Sequence, residues 1–374
     1  MTEEIPEPDR IEGAPHPRDT VTLFGQDAAQ AAFLDAYRSG RLHHGWLITG
    51  PRGVGKATLA WKIARFLLAT PKPDEGGLFG DAPPAPDTLH IDDEHPVSRR
   101  IRAGSEPSLF ALRRPVNEKT GKLKSQITVD EVRRLKSFFA LSAADGGRRV
   151  VIVDCADEMN VSAANALLKL LEEPPEDTFL LLISHQPSRL LPTIRSRCRE
   201  LRLSPLSPEN MTAALDQAGI ETKNGIALAE LSAGSVGEAI RLELLGGLKL
   251  YAELVSIFAE APRIDRQRAL DLANATAMRG AEDKVDLLVT LTDLFLTRLA
   301  RTGATGQPPL TEAAPNEAQV LTALAPHAGA ARNWAEIAQE ISGRMQHGRA
   351  VNLDPAALVL DTVFKIQSTA ARIR

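Results

Sequence analysis

Between residues 42 and 206 short apolar runs alternate with stretches of helical periodicity. Val150 to Asp154 (VVIVD) is an unbroken apolar run closed by a carboxylate, and Phe179 to Ser184 (FLLLIS) is a second. Runs this short and this apolar predict strands buried on both faces. Leu47-Ile48 marks the end of an earlier strand, and Arg199 to Leu203 a short last one. Leu59 to Ala69 and Ser162 to Glu173 carry the helical period. The second is stopped by Pro174-Pro175, because proline cannot continue a helix. Strands separated by helices predict an α/β domain, a parallel sheet with helices on both faces.

After Pro205 the strand signal ends. Glu209 to Gln217, Ile226 to Ala233 and Gly237 to Leu245 read as three short helices, and the rest of the chain is helical. Val285, Leu288, Leu291, Phe295 and Leu299 share one helix face, and Leu353, Ala357, Leu360 and Phe364 mark the final helix. Gly303 to Pro309 reads as a loop and Pro71 to Pro96 as a surface excursion. Met1 to Asp19 is acidic, bears prolines and lacks an apolar core, so it reads as a flexible leader and not a signal peptide. A length of 374 residues predicts two or three domains. No apolar run approaches a membrane span.

Charge narrows the partners. A net charge of -4 argues against binding DNA mainly through the chain's own surface, so any DNA contact is local or supplied by partners. Arg113, Arg114, Lys119, Lys122 and Lys124 cluster before Ile127; a solvated loop is the favoured reading and a DNA-facing patch the other. Two cysteines, Cys155 and Cys198, cannot build a disulfide framework or a four-thiolate zinc site, and suit a reducing cytoplasm. Both read as packed, unreactive residues. His185 reads as a solvated loop histidine.

The strongest local signal is Gly50-Pro51-Arg52-Gly53-Val54-Gly55-Lys56-Ala57, which follows a strand and opens a helix. In that setting backbone N–H groups and the helix N-terminus cradle phosphate, the glycines permit close approach, and Lys56 reaches the terminal phosphates. The pattern calls for Ser or Thr after the lysine, to hold magnesium, and Ala57 stands there. Thr58 follows, but one helical step turns a side chain by about 100°. A chance glycine turn and a retired loop that only shapes the fold are the competing readings.

Asp154, about 100 residues downstream, closes its strand where a carboxylate orders magnesium through water. A capping role is the alternative. Cys155 and Ala156 then precede Asp157 and Glu158, so no base for water stands beside Asp154; Asp157 is the nearer candidate.

Asn165-Ala166-Leu167-Leu168-Lys169-Leu170-Leu171-Glu172-Glu173-Pro174-Pro175, followed by Ile194-Arg195-Ser196-Arg197-Cys198, resembles the AAA+ clamp-loader family of bacterial DNA polymerase III. The likeness begins near Phe24-Gly25-Gln26 and runs through Leu42-His43-His44-Gly45. It is strong over about half the chain and weak in the helical remainder. It implies three domains after the leader 1–19: an AAA+ nucleotide-binding domain 20–205, a helical lid 206–247, and an all-α collar 248–374 that joins subunits. It implies that Arg197 is an arginine finger reaching a neighbour's ATP, and that Ser184 sits at the first nucleotide-sensing position.

The family contains gamma and tau motors and delta and delta-prime partners. Ala57, the missing Glu after Asp154, Gly237 where motors carry Arg, and the absence of a zinc module from Pro71 to Pro96 all point away from a motor. Loss of the zinc module departs from many delta-prime members too. Ser196-Arg197-Cys198 argues against delta. A finger without a competent engine is the delta-prime pattern. The resemblance therefore implies a cytoplasmic hetero-oligomer with gamma/tau and delta subunits, a sliding clamp and primed DNA. ATP with Mg²⁺ stays open as a ligand, because the phosphate loop is nearly intact. An ATP-hydrolysing gamma/tau-like motor and a non-replicative AAA+ adaptor are the rival readings.

Overall fold

The computed structural model describes residues 7–71, 86–141, 147–276, 282–351 and 353–373. The chain divides into two compact units. The first runs to Gly219 and includes Ser235–Gly237; the second comprises Ile220–Gly234 and the chain from Glu238 onward. The cut falls inside the segment 206–247 expected to form a lid.

The first unit is built on a parallel sheet of β1 (Gly45–Thr49), β2 (Leu109–Arg113), β3 (Arg149–Asp154), β4 (Thr178–Ser184) and β5 (Arg199–Arg202), ordered β2-β3-β4-β1-β5. The three central strands are buried almost throughout, the condition that makes their sequences read as unbroken apolar runs. β2 pairs with β3 alone and is mostly half-buried, and its apolar run is only Leu109 to Leu112. Its helices are α1 (Asp27–Arg38), α2 (Lys56–Ala69), α3 (Pro96–Arg102), α4 (Val129–Leu141), α5 (Val161–Glu172), α6 (Pro192–Arg195) and α7 (Pro208–Gln217).

Local chemistry sets these helix ends. Asn160 caps α5, its side chain accepting from the Ala163 amide at 2.8 Å. Ser207 caps α7 with Pro208 in the first turn. The inner faces of α4, α5 and α6 seal one side of the sheet, with Leu135, Leu167, Leu171 and Ile194 buried against Val151, Val153, Leu180 and Leu182. On β1, Trp46 meets Phe33 of α1 at a 4.9 Å ring separation. Burying each such side chain contributes about 1.5–3 kcal/mol.

The second unit is helical: α8 (Gly225–Leu231), all but the first two residues of α9 (Val236–Leu244), α10 (Gly247–Ala259), α11 (Arg266–Thr276), α12 (Glu282–Thr305), α13 (Glu317–Leu324), α14 (Ala328–Ala350) and α15 (Pro355–Ile373). The expected face of α12 is buried at Val285, Leu288, Leu291, Phe295 and Leu299. Two expectations hold only in part. The helix runs past Gly303 to Thr305, so the expected loop begins at Gly306. A β-carbon on Gly303 would stand 2.9 Å from that of Ala325 and 3.0 Å from that of Ala331, so that glycine marks close helix packing. On α15 the buried stripe is Leu358, Val359, Thr362, Val363 and Ile366, while Leu353 and Phe364 of the expected face are exposed. Asn352 lies outside the described residues. The core also holds a polar knot: fully buried Glu317 accepts from Arg298 Nε at 2.7 Å, the Tyr251 hydroxyl at 2.6 Å and the Ala313 amide at 2.7 Å.

Candidate nucleotide site and arginine edge

Sheet order brings the sequence candidates together. β4 lies between β1 and β3, so Ser184 at its carboxyl end sits between the phosphate loop after β1 and Asp154 at the end of β3. Crevices outside the carboxyl ends of parallel strands are where open α/β sheets bind ligands.

The loop is held open by glycine. Gly50 has φ 141° and Gly53 φ 75°. A β-carbon on Gly50 would stand 2.5 Å from the Leu203 carbonyl oxygen, and one on Gly53 2.2 Å from Ser235 Oγ. Gly55, with φ 97°, turns the chain into α2. Lys56 is buried, and its Nζ donates to the carbonyl of Gly50 at 2.7 Å and to that of Pro51. Burial lowers its pKa to about 8; Asp157 and Asp154 oppose this only in part, and Arg52 adds to it. Arg52 itself is exposed, while Ala57 and Thr58 are half-buried in the first turn of α2. Ala57 offers no oxygen ligand.

Asp154 is buried, and its Oδ2 has no hydrogen-bond partner. Burial pushes its carboxyl up to about 6, with the Asp9 charge adding to the rise. The Ser184 hydroxyl is fully buried and equally unpartnered, as is His185 Nδ1. Buried polar atoms normally find partners, so this group fits a polar ligand over the strand ends. A nucleotide phosphate suits the loop, Lys56 and Ser184. Magnesium would have only Asp154, through water. Among the described residues no group of three or more His, Cys, Asp or Glu is placed to hold a metal.

Several nearby residues do other work than the sequence suggested. His185 is half-buried, not solvated: its Nε2 lies 3.0 Å from Cys155 Sγ, and burial lowers its pKa to about 4. Burial raises the Cys155 thiol far above its usual range, so the pair holds no thiolate. Asp157 accepts from the His185 amide at 3.0 Å, a structural bond that occupies the candidate base. Gly237 reaches the phosphate loop itself, its amide donating to Gly53 O at 3.2 Å. A β-carbon there would meet Ile11 Cδ1 at 2.6 Å.

Ile11 belongs to the segment expected to be a flexible leader. Residues 1–6 lie outside the described residues, but 7–19 are fixed by ion pairs. Buried His16 lies 3.2 Å from Asp9 Oδ1, and Asp9 Oδ2 accepts from Trp61 Nε1 at 3.2 Å. Burial alone would raise the Asp9 carboxyl; the hydrogen bond and charge of His16, with Trp61 and Arg113, hold it below the usual range. Glu7 pairs with Arg113 at 2.8 Å and Arg18 at 3.2 Å. These contacts also divide the basic cluster: Arg113 faces Glu7, Arg114 pairs with Glu158 at 2.7 Å, and only Lys119, Lys122 and Lys124 are exposed.

Arg197 lies apart from these groups, between α6 and β5. Its Nη1 donates to Thr193 O at 3.0 Å and its Nη2 lies 2.8 Å from Glu172 Oε1. Beside it, burial pushes the Cys198 thiol up to about 12, so this cysteine is packing.

Residues 25–207 match the family model described as DNA polymerase III, delta subunit. The DNA polymerase III subunit delta' of Pseudomonas aeruginosa is 40% identical over 225 residues, 60% of this chain and 62% of that protein. Over this region the chain is similar to that family. The Bacillus subtilis subunit delta' is 32% identical over 202 residues, 54% of each chain. The chain thus spans a little over half the length of these relatives. A DNA polymerase III subunit gamma/tau from Mycobacterium bovis is 27% identical over 285 residues, 73% of this chain and 43% of that protein. The region matched by the family model contains the phosphate loop, Asp154, Ser184 and Arg197, and ends before Gly237.

Proposed function

We propose that the chain is a delta-prime-type subunit of a DNA polymerase III clamp loader, and that it helps ATP-dependent loading of a sliding clamp onto primed DNA. It acts as a stator and lends Arg197 to the ATP site of an adjacent gamma/tau motor. A guanidinium aimed at the terminal phosphate stabilises charge as the phosphoryl bond breaks, an effect on the order of 10³–10⁵ in rate. Delta, the clamp and DNA complete a cytoplasmic hetero-oligomer.

One observation carries the reading: the finger candidate stands at an exposed edge, while the chain's own site lacks hydrolytic parts. Ala57 offers no magnesium ligand, Cys155 follows Asp154 where a base is needed, and Asp157 is bonded to a backbone amide. Bound ATP would supply terminal phosphates to the loop. Lys56 would leave Gly50 O to neutralise them, Ser184 would donate its hydroxyl, and Asp154 would hold magnesium through water. Nucleotide is then held without being turned over.

The division into nucleotide-binding domain to 205, lid to 247 and collar to 374 belongs to this proposal. The exposed Leu353 and Phe364 give the collar an apolar face for a neighbouring subunit. The near-intact phosphate loop and the gamma/tau likeness support a second reading, a motor. Steady-state ATP hydrolysis by the purified chain separates them. The account expects none above background, with stimulation when the chain joins gamma/tau, delta, clamp and primed DNA; turnover by the chain alone would favour the motor.

A further inference from the structure

We propose that Glu172 is a positioning residue that parks the Arg197 guanidinium in the isolated chain and yields it to the neighbour's nucleotide. This rests on the finger reading of Arg197. Both terminal nitrogens of Arg197 are engaged within the chain, Nη1 by Thr193 O at 3.0 Å and Nη2 by Glu172 Oε1 at 2.8 Å. An end-on, two-pronged phosphate contact uses these same nitrogens, so the cis pair competes with the neighbour's phosphate for the finger.

The anchors are fixed by the fold. Glu172 is the last residue of α5, and Pro174-Pro175 prevents the helix from drifting onward. Thr193 lies in α6, four residues before Arg197. A carboxylate at a helix C-terminus opposes the helix dipole, so Glu172 is not explained by the stability of α5. Its partner is the guanidinium.

The pair is built to open. Arg197 and Glu172 side chains are 38% and 47% exposed, and ion pairs this wet are weak. A terminal phosphate carries more negative charge than one carboxylate, so a docked neighbour with ATP wins the exchange. Without that neighbour, Glu172 keeps the cation from other anions.

The test is ATP turnover by the reconstituted loader, with clamp and primed DNA, as a function of ATP concentration. Wild type, Glu172→Gln, Glu172→Asp, Arg197→Ala and the Glu172→Gln/Arg197→Ala pair are compared. The proposal expects Glu172→Gln to raise kcat/KM about 2–5-fold at low salt. The gain shrinks as ionic strength rises. Glu172→Asp, which keeps the charge, stays near wild type. In the Arg197→Ala background Glu172→Gln changes nothing. Unchanged or lowered kcat/KM in Glu172→Gln, or an equal effect without Arg197, overturns the parking role. If Arg197→Ala itself leaves turnover intact, the finger reading fails first, and the parking role falls with it.

Discussion

Lys56 Nζ donates to the carbonyl oxygen of Gly50 at 2.7 Å, so the lysine of the phosphate loop is tied to the loop's own backbone. A phosphate that binds here must replace that bond. Burial has lowered the Lys56 pKa from 10.5 to about 8, so the ammonium is charged at neutral pH and lost as pH rises through 8. ATP affinity is therefore expected to be level below about pH 7.5 and to fall above 8, by up to about tenfold per pH unit. Titration with a fluorescent ATP analogue from pH 7 to 9.5 checks this; a flat profile, or one unchanged by Lys56→Met, contradicts it.

Asp154 makes the chain pH-sensitive in the other direction. Folding raises its pKa from 3.8 to about 6, mainly by burial. The folded chain therefore keeps this proton at higher pH than the unfolded chain. The contribution is present below pH 3.8, is lost as pH rises to 6, and leaves an ionised buried carboxylate at neutral pH. Asp154→Asn should stabilise the nucleotide-free chain by about 2–3 kcal/mol at pH 7 and by almost nothing near pH 4. His185, lowered from 6.5 to about 4, has the opposite sign, losing stability as pH falls through that window. The comparison must therefore be variant against wild type at each pH, by urea denaturation.

Gly50→Ala should cost at least about 2 kcal/mol. The backbone lies at φ 141°, and the new methyl would meet the Leu203 carbonyl oxygen at 2.5 Å, a backbone atom that cannot swing away. Gly40→Ala gives the control: its φ is also positive, at 66°, but nothing stands within 4 Å. Equal losses in melting temperature would show that strain alone, not the close approach, sets the cost.

Glu317→Ala should be the most damaging single change in the helical unit, at about 3–5 kcal/mol. It takes the acceptor from the Tyr251 hydroxyl and from Nε of buried Arg298, leaving that guanidinium only Glu230 at 3.4 Å and the Thr311 carbonyl at 3.0 Å. Loss of the melting transition's cooperativity or a large fall in urea midpoint is expected. A shift no larger than for an exposed carboxylate such as Glu340 would contradict it.

How much was legible follows from where each signal originates. β3 and β4 announced themselves because both their faces are covered, whereas β2 offers only the four apolar residues Leu109 to Leu112, enclosed by polar and charged neighbours, and the sequence reading placed no strand there. The phosphate loop is a local motif and was read with its glycines and lysine in place. The Cys155–His185 contact joins residues 30 apart at two strand ends, and no sequence pattern announces such a meeting. Residues 7–19 looked flexible because their composition is polar. Their order comes from distant partners, Trp61 and Arg113, that composition cannot reveal. On α15 two apolar stripes compete at the same period. The sequence pointed to Leu353 and Phe364, but packing chose Val359, Val363 and Ile366.

The central claim is that Arg197 acts on a neighbour's ATP. The most direct measurement is single-turnover ATP hydrolysis by the complete loader with clamp and primed DNA, comparing wild type with Arg197→Ala at matched assembly. The account predicts at least a tenfold loss in hydrolysis rate, with ATP binding to the chain itself unchanged. An unaltered rate in a fully assembled complex would contradict it.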